Sequence, residues 1–512
     1  MARAQPAHPG PSARLGVQLP YSGHRSFGIA TDGFGWMGIG GYYMATNAGA
    51  GPANDAVQSD TSFLGHPRGL ACLAMTEAWE RFSFYGMRTM LILYMVQELL
   101  LPGHIENVAG MAAFRGVIES ITGPLSTQAF ASQVFGLYSG FVYFTPLIGG
   151  LIADRWLGAK KTVMIGIVLM TFGHFAMAFE VTVLLALSLL VLGSGCLKGN
   201  VAAQVGHLYP KSDEAHRSRG FTIFSTGINI GAVAGPLLCG LLAQLYGWHI
   251  GFGTAGIFMV IAAIIYFSGT RHFAPEQPLA KSAEPIPALE KREKHMLLLI
   301  GLVLVIILFQ FFAYDQMSNV GMIWAATNVD LATPLGSMPV PWFASLDALA
   351  SILVVPFLIM LWRAQARRDQ EPGDLGKIAI GAAVMAAAMA MLALGSWLGG
   401  SGSASIIFPL IAFTLSGASF MWTWPTVLAL VSRRAPAKIN ALMVATVYLT
   451  AFVTGIGSGY IAGYYETMGA TAFWMMHVAI ALTGTVIIFL FGNSLKRAMD
   501  RLEMDPLEPD AG

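Results

Sequence analysis

Glu77-Ala78-Trp79-Glu80-Arg81-Phe82-Ser83-Phe84-Tyr85-Gly86-Met87-Arg88 sets two acids and two arginines inside an apolar stretch from Leu70 to Leu101, long enough to cross a bilayer. With about 100° of rotation per helical residue, Glu77, Glu80, Arg81, Tyr85 and Arg88 fall on one arc about 140° wide. One face of this helix is therefore charged. Each ionised group at mid-bilayer costs roughly 2.5 to 3.5 kcal/mol, so four facing lipid would cost on the order of 10 to 14 kcal/mol. They must face a protein interior or a wet cavity, either as a working constellation or as a static ion-pair cluster that pins helix packing.

The chain as a whole has the same character. Of its 512 residues 55% are hydrophobic and 11% charged, against roughly 25% charged in a soluble domain. This is the composition of a polytopic membrane protein. A net charge of +1, with cations scattered over short loops, gives no basic patch for nucleic acid. Cys72, Cys196 and Cys239 each sit in an apolar run without metal-ligand spacing, so they read as small core residues rather than as a disulfide framework or a zinc site.

Hydrophobic runs of spanning length centre on 70–101, 131–153, 162–181, 183–206, 220–244, 250–268, 295–323, 342–362, 377–398, 406–431, 440–464 and 471–492. The fold class expected is all-α, with twelve transmembrane helices in two bundles of six. Lys and Arg cluster at Arg155/Lys160/Lys161, Lys211/Arg217/Arg219, Arg271 to Lys294, Arg363 to Arg368, Arg433/Arg434/Lys438 and Lys496/Arg497/Arg501. Every cluster follows an even span, while the alternate loops hold essentially only Arg115. By the positive-inside rule both termini are expected in the cytoplasm, for a multi-pass protein of the cell (inner) membrane.

The polar, proline-bearing segment 270–294 divides the spans six and six. It is the expected cytoplasmic linker between an amino-terminal bundle, 66–269, and a carboxy-terminal bundle, 295–494, with 495–512 as a cytoplasmic tail. Residues 1–65, rich in Gly, Pro, Ala and Ser without periodicity, read as a disordered tail, within which Met44 is a candidate start. A six-and-six division with a site at the bundle interface is the alternating-access plan of secondary transporters. No remaining segment is long enough for a soluble catalytic domain, and no nucleophile or metal set stands at recognisable spacing, so an enzyme is not expected.

The first span, with Gly65-His66-Pro67-Arg68-Gly69-Leu70 before it and Glu-x-x-Glu-Arg-Phe-x-Phe-Tyr-Gly within it, resembles the proton-dependent oligopeptide transporter family of the major facilitator superfamily. The likeness continues in Leu137-Tyr138 through Tyr143, in Gly149-Gly150-Leu151-Ile152-Ala153-Asp154-Arg155 with Gly158 and Lys160, in Gly193 to Asn200, in Gly227 to Ala232 and in Gly247 to Gly253. The carboxy-terminal half is recognisable in Asp315-Gln316, Trp342 to Asp347 and Arg434-Ala435-Pro436. Lys198 would be costly in its span without a carboxylate partner, and it lies too far inside to snorkel. The resemblance implies a symporter of small peptides driven by the proton gradient, without a cofactor. It implies proton coupling at Glu77, Glu80 and Arg81, and carboxylate-facing cations at Arg88 and Lys198. It further implies a cross-bundle salt bridge of Arg88 with Asp315, and a gating loop of Asp154, Arg155 and Lys160. Tyr85, Tyr143, Asn229, Phe311, Asp347 and Phe420 complete the implied substrate site. His174 and Glu180, placed in the third span, read as packing residues more than ligands, and His249 as a structural loop residue near the outer face.

The departures from the family's pattern fall on the substrate site. Phe420 stands where the tenth span usually carries a glutamate that holds the peptide amino terminus, Asp347 where an Asn is usual, Ser225 where a Tyr is usual and Phe311 where a Trp is usual. Asp347 could supply the negative end that Phe420 cannot. The two additional helices of many bacterial members have no room between the sixth and seventh spans. Two other readings remain: a proton-coupled carrier of a non-peptide solute, and a non-transporting membrane sensor.

Overall fold

The computed structural model describes residues 57, 60–210, 212–275, 288–334, 336–400 and 402–504. Most of the expected 1–65 tail, the Met44 start and the middle of the 270–294 linker lie outside the described residues. The helices are α1 (Arg68–Tyr94), α2 (Met111–Thr122), α3 (Thr127–Ile152), α4 (Ala159–Ala176), α5 (Val183–His207), α6 (Glu214–Tyr246), α7 (Trp248–Gly269), α8 (Lys291–Ser318), α9 (Val320–Asn328), α10 (Trp342–Ala366), α11 (Asp374–Gly399), α12 (Ile407–Arg434), α13 (Asn440–Ala462) and α14 (Ala470–Met504). Ten of the described helical segments are long and apolar enough to cross a membrane. The helices α1 and α4 pack among them but fall short of that apolar measure, α1 through its charged face and α4 through Lys160 and Lys161. The expected fold class holds.

Local chemistry sets the helix ends. Ser126 Oγ accepts the Ala129 amide at 3.1 Å and Asp213 Oδ1 that of His216 at 3.0 Å, each capping a helix start. Glu290 and Glu293 form a reciprocal capping box at the start of α8. Asp60 Oδ2 accepts the Arg68 amide at 3.0 Å, tying the residues just ahead of α1 to its first turn. At the other terminus α14 runs on to Met504, ten residues past the expected limit at 494.

Two spans differ from expectation. The first leaves α-geometry at Tyr94 and finishes as a wider turn, Met95–Leu99. The run 295–323 is not one helix: α8 stops at Ser318, Asn319 adopts φ −103°, ψ −100°, and α9 restarts at Val320. Hydropathy cannot see such a break, because both halves are apolar.

In lipid, apolar burial gives helices little reason to associate, so close packing of small residues does it instead. Gly227, Gly231 and Gly235 lie one turn apart on α6, and a Cβ at Gly231 would stand 2.2 Å from the Ala78 carbonyl oxygen of α1. The two bundles meet by the same device. A Cβ at Gly136 of α3 would stand 2.6 Å from the Gly455 carbonyl of α13 and 2.8 Å from Gly459 Cα. Opposite, Trp342 Nε1 donates to the Leu237 carbonyl at 3.0 Å and Ser345 Oγ to that of Val233 at 2.8 Å. Gln244 Nε2 adds a bond to the Ser337 carbonyl at 2.8 Å. These contacts all lie at the end where α1 finishes and α3 begins, so the bundles are sealed together at that end.

Candidate functional site

The charged face of α1 is buried, as its insertion cost demands. Glu80 and Arg81 have no exposure and Glu77 1%. Arg81 Nε lies 3.1 Å from Glu77 Oε1 and is paired with Glu80 as well, while neither Nη atom has a hydrogen-bond partner among the described residues. The guanidinium is thus held at one corner and open at the other two. Lys198 of α5, 3% exposed, places Nζ 4.1 Å from the Phe84 ring centroid and 5.2 Å from that of Tyr143. It has no hydrogen-bond partner, and interacts electrostatically with Glu80 and Glu77. A desolvated ammonium held by aromatic faces and distant carboxylates remains available to a nearer anion.

Two turns further along α1, Arg88 enters a cavity between the bundles. Tyr85, Arg88 and Tyr143 line it from the amino-terminal side, and Tyr314, Asp315, Asp347 and Ser416 from the carboxy-terminal side. Arg88 stacks 5.4 Å from the Phe135 ring and points Nε at Ser139 Oγ, 3.5 Å away. The expected salt bridge to Asp315 is not made in this conformation. Asp315 Oδ2 instead accepts from Thr454 Oγ1 of α13 at 2.6 Å, although the two charges interact across the cavity.

Asp347 supplies the negative wall. Its Oδ2 accepts from Tyr314 Oη at 3.1 Å, while Oδ1 is buried with the Ser416 hydroxyl as its nearest polar company. Arg88 is close enough to act on it electrostatically. Phe420 and Phe311 are not on the cavity wall. Phe420 stacks on Trp424 at 5.6 Å, Phe311 meets both edge-on at 6.2 and 5.6 Å, and Tyr314 covers Phe420 at 5.3 Å. A carboxylate at position 420 would stand among aromatic rings whose polar groups are the Trp424 indole N–H and the Tyr314 hydroxyl, while the acid of this wall stands at Asp347. Asn229 is half-buried one turn from the cavity-lining Ala232. Asp154 and Arg155 lie in the wide turn Ala153–Leu157 after α3 and are exposed, with Lys160 just beyond at the start of α4.

Tyr314, Ser416 and Thr454 were not singled out from the sequence. For Tyr314 a signal existed: it neighbours Asp315 and falls three residues after Phe311, on the same helix face. Glu180, expected in the third span, lies in the turn Glu180–Thr182 between α4 and α5. His174 is fully buried in α4, with neither ring nitrogen bonded among the described residues.

Two helical bundles sealed at one end around a cavity of opposed buried charges define a secondary transporter of the major facilitator type. The model of the POT family matches residues 160–288 and 287–483, and the chain belongs to that family. It is 27% identical over 513 residues to the di-/tripeptide transporter of Lactococcus lactis subsp. cremoris, covering 86% of this chain and 98% of that one. It is 26% identical over 504 residues to the peptide transporter YePEPT of Yersinia enterocolitica, covering 84% and 94%. Among solved structures, the peptide transporter POT in complex with sulfate superposes with a TM-score of 0.77 at 23% identity, covering 87% of this chain and 99% of that one. A POT family transporter in complex with 5-aminolevulinic acid superposes at 0.74 and 22%, covering 86% and 99%.

Proposed function

We propose that this chain is a proton-coupled symporter that imports di- or tripeptides, or peptide-like solutes, by alternating access. The carrying observation is the polarity of the cavity. Arg88 lies on one wall, with Lys198 behind Tyr143, and the buried carboxylate of Asp347 lies on the other, beside Tyr314 and Ser416. A short peptide carries a carboxylate at one end and an ammonium at the other, and meets the opposite charge at each wall. The names of full-length relatives support the same substrate class.

Glu77, Glu80 and Arg81 are assigned to the proton. A buried carboxylate stays ionised only while a cation stands beside it. A substrate carboxylate that draws on Arg81 or Lys198 loosens the pairing of Arg81 with Glu77 and Glu80, which links the substrate to the proton-carrying cluster. Asp315, held here by Thr454, would turn to Arg88 in the alternate access state, so that the pair forms in one half of the cycle and breaks in the other. Asp154, Arg155 and Lys160 are assigned to closure of the opposite end.

On this reading the cation-rich loops face the cytoplasm, and both termini with them. The sealed end then faces outward, and this conformation opens toward the cytoplasm. One proton moved across 100 mV supplies about 2.3 kcal/mol, enough for roughly 50-fold accumulation of a neutral solute. The test is uptake of radiolabelled dialanine into liposomes containing the purified protein, with the interior alkaline and negative. Accumulation abolished by a proton ionophore is expected. Its absence with folded protein would favour a non-peptide solute, the reading that the aromatic block at Phe420 otherwise supports.

A further inference from the structure

We infer that the amino-terminal bundle carries a divalent transition-metal site of zinc-type chemistry at the end where α1 finishes, with Glu98, Glu180 and His249 as ligands. One ligand atom of each lies within 4.8 Å of the others. They arrive from three separate places: the wide turn ending α1, the turn before α5 and the first turn of α7. His249 Nε2 is 3.7 Å from Glu98 Oε1, close to the edge of about 3.4 Å in a tetrahedron with ligand bonds near 2.1 Å. Glu180 offers the third donor within 4.8 Å of the other two, and the fourth position is left to water.

The surroundings of Glu180 have the form of an outer ligand shell. His104 Nδ1 hydrogen-bonds Glu180 Oε1 at 2.5 Å, and Asn107 Nδ2 donates to Oε2 at 3.1 Å, so both carboxylate oxygens are oriented. A second observation is independent of these side chains. Tyr94 is fully buried, and its hydroxyl has no hydrogen-bond partner. Its ring lies 6.1 Å from that of His249, and it interacts electrostatically with both Glu180 and Glu98. Buried hydroxyls are rarely left without a partner. Imidazole among the donors selects zinc, cobalt or nickel over calcium and magnesium, which take oxygen sets. All the ligands belong to one bundle, so the ion would tie α1, α5 and α7 together without locking the two bundles to each other.

The test uses full-length, tag-free protein. Zinc at a slight molar excess should raise the unfolding temperature, where magnesium or calcium at the same concentration should not. Cobalt should give the visible absorption of a tetrahedral site. His249→Ala and Glu180→Gln should each abolish both effects, and His104→Ala should weaken cobalt binding by roughly 10- to 100-fold. Folding of the variants is checked by gel filtration, and Glu180→Gln carries the test should His249→Ala fail that check. Absence of both effects in the unmodified protein, an equal response to magnesium, or effects that survive in His249→Ala would each overturn the site.

Discussion

Replacing Asp347 by Asn tests the polarity of the cavity at its negative end. Asparagine keeps the shape and can still accept the Tyr314 hydroxyl through its amide oxygen, as Asp347 Oδ2 does at 3.1 Å. The position of Oδ1 is then taken by an NH2 group, which donates where a substrate ammonium needs an acceptor. The loss is one charge-assisted hydrogen bond, net about 1.5 to 3 kcal/mol, or roughly 10- to 150-fold in apparent KM at 1.4 kcal/mol per tenfold. Initial rates of dialanine uptake into liposomes give KM for both proteins. The same assay with N-acetyl-dialanine, which lacks the ammonium, should show a large penalty in the unmodified protein and little further penalty in Asp347→Asn, since the two changes remove the same contact. An unchanged KM for dialanine, or penalties that simply add, would refute the assignment of the substrate amino terminus to Asp347.

Three other outcomes follow from the same geometry. Glu80→Gln removes the acid paired with the buried Arg81, and should abolish gradient-driven accumulation while sparing counterflow exchange of labelled for unlabelled peptide; uphill uptake at the normal rate would contradict its proton role. Gly136→Val puts side-chain atoms where a Cβ already stands 2.6 Å from the Gly455 carbonyl, so uptake should fall to background while the protein still reaches the membrane, and a cysteine placed in the cavity should become reactive to an impermeant reagent from the α1–α3 end; an unreactive cysteine would show that the seam closes regardless. Phe420→Glu buries an unpaired charge between Trp424 and Tyr314, at a cost of several kcal/mol, so the unfolding temperature should drop with no gain in peptide affinity; a tighter KM in a stable variant would mean that the aromatic block opens to the cavity.

What could be read from the sequence was what lipid enforces. A bilayer taxes each misplaced charge heavily, so twelve runs, their charged interruptions and the inward role of Glu77, Glu80, Arg81, Arg88 and Lys198 follow from hydropathy and spacing alone. Features set by backbone geometry left no such mark. The amphipathic helix α2 is too short and mixed to stand out, and the restart at Val320 lies within an unbroken apolar run. Whether Arg88 and Asp315 touch depends on which access state is populated, which no spacing encodes; Thr454, lying 139 residues away in the chain, holds Asp315 here. Phe311 and Phe420 were placed at the substrate because the resemblance put them there, but aromatic side chains of that size satisfy each other first. Glu98 and His249, with His104 and Glu180 between them, lie 151 positions apart with no repeated interval, so only the packing of α1, α5 and α7 brings the cluster together.

The interruption at Asn319 divides the labour of opening. A continuous helix resists bending because every carbonyl along it is tied to an amide one turn on, whereas a helix that stops and restarts has given up those ties at one place. Asn319 Nδ2 reaches the Ser132 carbonyl of the other bundle at 3.4 Å, so the pivot itself rests on the seam. The restart lies at the sealed end, and α9 is buried there from Val320 to Ala325. Outward opening would therefore have to move this restart together with the glycine seam, and Asn319 is the place where the chain could yield.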